Sequence, residues 1–151
     1  NNVLIHKIAK NKISKYNKYQ YKINGQKYIV PNIGLQTKLW DFDFATIPGL
    51  IDNSKVEAEW TSKININPKQ NRYYDIHYFF NTLTRKGFFP EFWIDNNVPT
   101  KIKDFVKRII PSKYRKGPNV SERGRILVDE EYVIADEILK SDKLFRVMRV
   151  D

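Results

Sequence analysis

Two carboxylates at the end of an apolar run are the first residues in this chain that could do chemistry. In the stretch LWDFDFATIPG (39–49), Asp41 and Asp43 alternate with phenylalanines and precede a Pro-Gly break. We expect the apolar run to be a buried strand. Aspartate is common in turns, so an ordinary strand end that turns into solvent would explain both residues. The other interpretation is that a carboxylate at this strand end holds a ligand.

The remaining reactive residue types narrow the chemistry further. The chain has no cysteine, which excludes disulfides and thiolate zinc sites and is typical of a reducing compartment. Its two histidines, His6 and His77, lack a spacing that would indicate a metal site or a partner for a nucleophile. His77 falls in an aromatic segment, so we expect it to be a packed, polar-tipped residue of a buried helix.

Length and composition limit the class of protein. The chain has 151 residues, of which 41% are hydrophobic and 14% aromatic, enough for the core of one domain or part of one. It contains no apolar run approaching the roughly 20 residues of a membrane span. It shows no signal peptide, and it begins with Asn1 directly before an apolar run. We therefore expect it to be cut from a longer chain.

The net charge of +10 favours an anionic partner such as nucleic acid, nucleotide phosphates or an acidic surface. Codon bias in an A/T-rich genome would explain much of the same charge. A second class of function nevertheless follows from lysines that alternate with tyrosines near the N-terminus, because such a surface could track phosphates and stack bases. These residues are Lys10, Lys12, Lys15, Lys18, Lys22 and Lys27 with Tyr16, Tyr19 and Tyr21.

The first half of the chain has the patterns of β-structure. Asn24-Gly25 between two β-prone runs is a strong hairpin signal. The sequence predicts a strand in 1–8, a lysine-rich loop in 9–20, the hairpin in 19–32, a strand in 35–45 and a long irregular segment in 46–70.

The second half has helical patterns. The segment 71–87 is aromatic nearly all round and is followed by Gly87, so we expect the helix around 72–84 to be the most buried element. Apolar stripes predict further helices in 98–111 and 134–149. β-structure followed by helices predicts an α+β fold.

The order of several motifs resembles the large lobe of the protein kinase fold. An Asn precedes a predicted strand in NNVLI, and an Asp-Phe pair follows one in LWDFDFA. An Asp lies within a predicted helix in YYDIHYFF. EYVIADEILKSDKLF (131–145) is similar to the last kinase helix. The combination most resembles the divergent serine/threonine kinases of large DNA viruses.

The resemblance implies a fold and its boundaries. The expected fold is α+β and mainly helical: a protein-kinase-like C-terminal lobe with a small β element within residues 1–45, the small lobe being absent. Residues 1–151 would then be a partial kinase domain that runs from the end of the catalytic loop to the last helix. Residues 9–32 would be an insertion that contains the lysine-rich loop and the hairpin.

The resemblance also implies roles for single residues. Asn2 matches the metal-binding Asn and Asp41 the Asp of Asp-Phe-Gly, so both would bind Mg²⁺ and its ATP. Asp75 matches an acid that anchors the catalytic loop from a buried helix. Asp43 stands where the family usually has Gly, and we expect it to be a turn residue. The catalytic Asp would lie before Asn1, so no catalytic residue is expected in this chain.

The implied function is that of the C-terminal lobe of an ATP-dependent protein kinase that phosphorylates serine or threonine. Its partners would be ATP, a protein substrate and the missing N-terminal lobe in the same chain, without a membrane, in host cytoplasm or in a virion. This fragment alone is expected to be inactive. Because Asp-Phe-Gly is altered and Ala-Pro-Glu is missing, a pseudokinase or scaffold lobe is an alternative. So are a kinase-fold phosphotransferase of small molecules and the basic nucleic-acid-binding module.

Overall fold

The computed structural model describes residues 3–8, 18–62, 74–128, 132 and 135–150. The chain divides into two compact units. The first unit comprises the residues up to Asp43 and those from Phe145 onward, and the second unit runs from Phe44 to Leu144.

Two small antiparallel sheets form the first unit. Strand β1 (Val3–Lys7) pairs with β4 (Leu35–Leu39), and β2 (Lys18–Ile23) pairs with β3 (Gln26–Pro31). A last strand, β5 (Arg149–Val150), joins the other edge of β3. The strand predicted in 1–8 is confirmed, whereas the strand predicted in 35–45 ends at Leu39, before either aspartate.

The hairpin predicted in 19–32 is confirmed, and its turn residues explain it. Asn24 and Gly25 both have positive φ angles, of 49° and 81°. A two-residue turn with both φ angles positive matches the right-handed twist of the flanking strands, and Asn-Gly is the pair that adopts it at least cost. The turn thereby fixes the register in which Ile23 faces Gln26.

The sheets of the first unit are thinly covered. Every residue of β2 and of β4 is exposed, and Tyr28 is the residue of these strands that is buried. Leu4, Ile5 and Leu39 remain 48%, 69% and 69% exposed. The expectation that a buried strand precedes Asp41 was therefore wrong, because no described layer covers β4.

Helices dominate the second unit. They are α1 (Ser54–Glu57), α2 (Glu59–Ser62), α3 (Tyr74–Leu83), α4 (Thr100–Ile109), α5 (Ala135–Ser141) and α6 (Lys143–Arg146), which crosses the unit boundary. The segment 46–70 was predicted to be irregular, yet it contains α1 and α2. The helix predicted in 134–149 is interrupted at Asp142 and gives way to β5. None of the described helices is long and apolar enough to cross a membrane.

The core of the second unit lies on one face of α4 and on the loop that follows it. Phe105, Val106 and Ile109 are buried on the predicted stripe of α4. The side chains of Ile110, Tyr114 and Ile126 are 0% exposed. Helix α3 is less buried than predicted, because Asp75 and Phe79 reach solvent and its fully buried positions are polar.

The fold is α+β, but the prediction of a mainly helical chain was wrong. Helix accounts for 36% and strand for 23% of the structure. Among the described helices only α3 and α4 reach ten residues, because the other helical patterns break into short pieces. The β-structure is also not confined to residues 1–45, since β5 comes from the far end of the chain.

Candidate functional site

Asp41 has an unusual backbone conformation just after β4. Its φ is 59°, in the left-handed region, and Asn24 of the hairpin turn is the other described non-glycine residue with positive φ. Such a conformation costs of order 1–3 kcal/mol and persists where the surrounding structure enforces it. Aspartate tolerates it better than most residues do. The left-handed residue is thus Asp41 itself, and not Asp43, where the kinase pattern has glycine.

The register of β1 and β4 places the start of β1 beside the end of β4, near Asp41. The last described pair of this antiparallel ladder is Val3 with Leu39. The chain therefore enters β1 at the same end of the sheet at which it leaves β4 toward Asp41. Asn2, the other predicted metal ligand, lies outside the described residues.

The oxygen donors near this end of the sheet are the carboxylates of Asp41 and Asp43, which suit a hard cation that also takes ligands from outside the protein. Asp41 and Asp43 are both exposed. Within the described ranges, no group of three or more His, Asp or Glu side chains could enclose a metal ion. Mg²⁺ is commonly held by one or two carboxylates, while substrate phosphates and water complete its octahedron. The exposed carboxylates of Asp41 and Asp43 are thus oxygen donors of the kind that Mg²⁺ accepts.

Asp75, the predicted anchor, lies in the first turn of α3 and is exposed. The helix dipole favours a negative charge there. Neighbouring protein atoms nevertheless desolvate its carboxyl group in part and raise its pKa. The predicted role of Asp75 in holding backbone amides stays a prediction.

A polar cluster that the sequence did not predict is formed by side chains of α3 and of the turn that follows it. Four side chains, which we call the α3 clamp, donate hydrogen bonds to three consecutive carbonyls of one loop. His77 Nε2 and Asn81 Nδ2 donate to Gly124 O (2.9 and 3.1 Å), Thr82 Oγ1 to Arg123 O (3.2 Å) and Arg85 Nη1 to Glu122 O (3.1 Å). The i, i+4 spacing of His77 and Asn81 in an aromatic segment was the signal that could have revealed part of the cluster.

His77 is the most buried member of the α3 clamp, and it is neutral. Burial lowers its pKa to about 4; the Gly124 carbonyl opposes this shift and the nearby Arg85 charge adds to it. With Nε2 protonated toward Gly124, Nδ1 accepts from the hydroxyl of Tyr132, whose ring stacks on Tyr114 at 4.1 Å. His77 is thus a packed polar residue, as predicted.

The lysines and tyrosines of the hairpin do not share one surface. Tyr19 and Tyr21 alternate along β2 with Lys18 and Lys22, so the two residue types point to opposite faces. Lys27 faces Lys22 across the ladder and lies on the lysine face. The predicted lysines 10, 12 and 15 and Tyr16 lie outside the described residues. The described part of this segment therefore separates the base-stacking groups from the phosphate-binding groups.

Comparisons with known proteins give a consistent family. The profile of the family described as poxvirus serine/threonine protein kinase matches residues 1–136. The chain is 47% identical over 150 residues to a protein of Acanthamoeba polyphaga mimivirus named as a serine/threonine-protein kinase, R400. That match covers 99% of this chain and 32% of the relative. Serine/threonine-protein kinase 2 of vaccinia virus (strain Copenhagen) is 35% identical over 80 residues, or 53% of this chain and 16% of the relative.

These comparisons support the predicted family but not the predicted fold. The resemblance to divergent viral serine/threonine kinases is confirmed. No solved structure matches this one. Together with the strand content, this overturns the prediction of a mainly helical kinase large lobe. The family is thus supported by sequence, and the described architecture is two small sheets and a short-helix unit.

Proposed function

Because the chain belongs to the poxvirus serine/threonine protein kinase family, we propose that it is part of a viral enzyme that transfers phosphate from ATP to serine or threonine of a protein substrate. The chain spans about a third of the length of the mimivirus relative. In this proposal the rest of the longer protein supplies the catalytic Asp and most of the nucleotide site. The viral relatives favour host cytoplasm or the virion as the place of action.

The observation that carries the proposal is the position of Asp41. Asp41 follows a strand end, is exposed at the surface, and has a left-handed backbone conformation. Strained residues of this kind cluster at active sites and ligand clamps. Asp41 would supply a carboxylate to Mg²⁺, which would neutralise the negative charge that develops during phosphoryl transfer.

Asn2 is proposed as the second ligand, through its side-chain carbonyl oxygen. The support is the ladder of β1 and β4, in which the start of one strand lies beside the end of the other. A neutral oxygen beside one carboxylate leaves room for phosphate oxygens and water, as Mg²⁺ prefers. Asp43, with an ordinary turn conformation, is assigned no ligand role.

The decisive experiment is the Asp41→Asn substitution in the complete protein. We expect the Mg²⁺-dependent rate of substrate phosphorylation to fall about 10²-fold or more, the loss typical when one preorganised electrostatic contact is removed. Asparagine also tolerates the left-handed conformation, so the thermal melting temperature should not change. The measurements are initial rates over a Mg²⁺ titration and a thermal melt.

Two matched variants separate the effect of the Asp41 charge from the effect of its backbone conformation. Asp43→Asn removes the same charge two residues away and should leave the rate near that of the wild type. Asp41→Gly relaxes the backbone but removes the carboxylate, and it should be as inactive as Asp41→Asn. A normal rate for Asp41→Asn would exclude the metal role. Turnover by the 151-residue chain alone would contradict the proposal that the catalytic Asp lies elsewhere.

A further inference from the structure

A basic cavity lies at the C-terminal end of α3, within the second unit. Its volume is about 340 Å³, and it is lined by Arg85, Lys86, Arg123, Glu122 and the rings of Tyr78 and Phe88. Three cations and one carboxylate give the lining a net charge of +2. This cavity contains none of the residues that the proposed function assigns to Mg²⁺ or ATP.

The three cations of this cavity outnumber its one carboxylate, that of Glu122. Among the described residues, no ion pair involves Arg85, Lys86 or Arg123. Arg85 directs two guanidinium nitrogens to backbone carbonyls, of Glu122 at 3.1 Å and Arg115 at 2.7 Å. Its Nε is buried and has no hydrogen-bond partner in the described part of the chain. A partly desolvated positive charge that forms no ion pair is stabilised when an anion binds beside it.

The helix end alone does not explain this charge. Cations near a helix C-terminus compensate the negative end of the dipole, which would account for Arg85 and Lys86. Arg123 comes from a different segment, and the α3 clamp holds the carbonyls of residues 122–124 in place. Its backbone is therefore fixed before any ligand arrives, and preorganisation of this kind lowers the cost of binding.

We propose that this cavity binds the phosphate group of a phosphorylated serine or threonine in a peptide. Lys86 and Arg123 would contact the phosphate oxygens, Arg85 would contribute positive potential from beneath, and Tyr78 and Phe88 would pack on the flanking peptide. The choice of a phosphopeptide rests on the proposed function, since a serine/threonine kinase meets both phosphorylated products and already phosphorylated substrates. A concave cavity of this size suits one phosphate group with its neighbours.

The test is a binding titration with the complete protein in buffer free of ATP and Mg²⁺. A short fluorescent peptide with a central phosphoserine is compared with its unphosphorylated form by anisotropy. We expect the phosphopeptide to bind about tenfold tighter or more, as expected for charge-assisted hydrogen bonds. The Lys86→Ala/Arg123→Ala double variant should bind both peptides equally. Both side chains are exposed and the Arg123 carbonyl is retained, so its thermal melt should match the wild type.

A control with the same loss of charge keeps the test specific. Lys38→Ala/Lys101→Ala removes two exposed cations outside the cavity and should preserve the preference for the phosphopeptide. An equal loss in this control, or equal affinities of the wild type for the two peptides, would overturn the proposal. So would variant-sensitive binding of inorganic phosphate without any preference for the phosphopeptide. Because the assay needs no turnover, Asp41→Asn should bind the phosphopeptide normally even though it is inactive.

Discussion

The two units of this protein differ most in what their side chains cover. In the second unit, Ile110, Tyr114 and Ile126 are fully buried. Side chains of α3 and of the turn after it donate hydrogen bonds to three consecutive carbonyls of one loop. In the first unit, two strands are exposed at every position. The same kinds of apolar side chain are therefore core in one unit and surface in the other.

This contrast places stability and candidate chemistry in different parts of the chain. Buried apolar area is the dominant favourable term in folding, so the second unit should account for most of the free energy of unfolding. The proposed metal ligand Asp41 stands at an exposed strand end in the first unit. Substitutions in the two units should therefore affect different measurements, stability in one and phosphoryl transfer in the other.

The largest expected difference in stability is between two Ile→Ala substitutions, one in each unit. Ile110→Ala should lower the free energy of unfolding by about 2–5 kcal/mol, because it opens a cavity in a closed core. Ile5→Ala, at a side chain 69% exposed, should cost about 0.5 kcal/mol or less. Urea denaturation of both variants measures the difference. Equal losses would mean that β1 is as well packed as the core around α4, and that the two units do not differ in packing.

The buried His77 predicts a pH dependence that arises from the second unit. Its folded pKa of about 4 lies below the unfolded value of 6.5, so the unfolded chain binds the extra proton between these values. The stability associated with neutral His77 is thus complete above about pH 6.5 and is lost as the pH falls toward 4. By pH 5 the loss should be about 2 kcal/mol.

The matched variant for this prediction is His77→Gln, which keeps a neutral donor and cannot titrate. Its stability at neutral pH should be lower than that of the wild type, and the gap should narrow by about 2 kcal/mol at pH 5. Asp75, whose raised pKa acts in the opposite direction, is present in both proteins and cancels in the difference. Urea titrations at several pH values provide the measurement. A gap that is constant with pH would show that the pKa of His77 is the same in the folded and the unfolded chain.

The smallest expected difference compares two glycines with similar backbone angles. Gly25 (φ 81°) and Gly124 (φ 87°) would both be strained by a side chain, at about 1–2 kcal/mol. A Cβ at Gly25 meets nothing within 4 Å, whereas one at Gly124 would lie 2.9 Å from Arg85 Nε. Gly124→Ala should therefore cost about 1 kcal/mol more than Gly25→Ala in a thermal or urea melt. Equal costs would mean that Arg85 moves aside freely, and the α3 clamp would not be rigid.

Local signals in the sequence predicted the elements whose cause is local. Asn24-Gly25 specified the hairpin because both residues accept positive φ, and the stripe of α4 specified its buried face. Burial in the first unit was not predictable, because an alternating apolar pattern does not reveal whether another layer covers the strand. The left-handed angle at Asp41 was also missed, since the kinase pattern directed attention to Asp43.

Features that depend on distant residues left little trace in the sequence. The α3 clamp needs the loop of residues 122–124, and nothing in the local sequence of either segment indicates that the two are in contact. The helix content was overestimated because one-turn helices such as α1 have the same composition as parts of longer helices. The family was nevertheless identifiable, because the order of Asn, Asp-Phe and helix motifs survives whatever the details of packing.

Strand β5 gives the sheet of the hairpin a particular order of assembly. Gln26 donates to the carbonyl of Val150 at 2.6 Å, across a separation of 124 residues. A ribosome that adds about 5–20 residues per second needs roughly 6–25 s to synthesise that interval. Throughout it, the β2–β3 hairpin exists as two strands, an arrangement that is marginally stable alone. During translation, therefore, the third strand of this sheet can join the hairpin only after the 124 residues that follow Gln26 have been made.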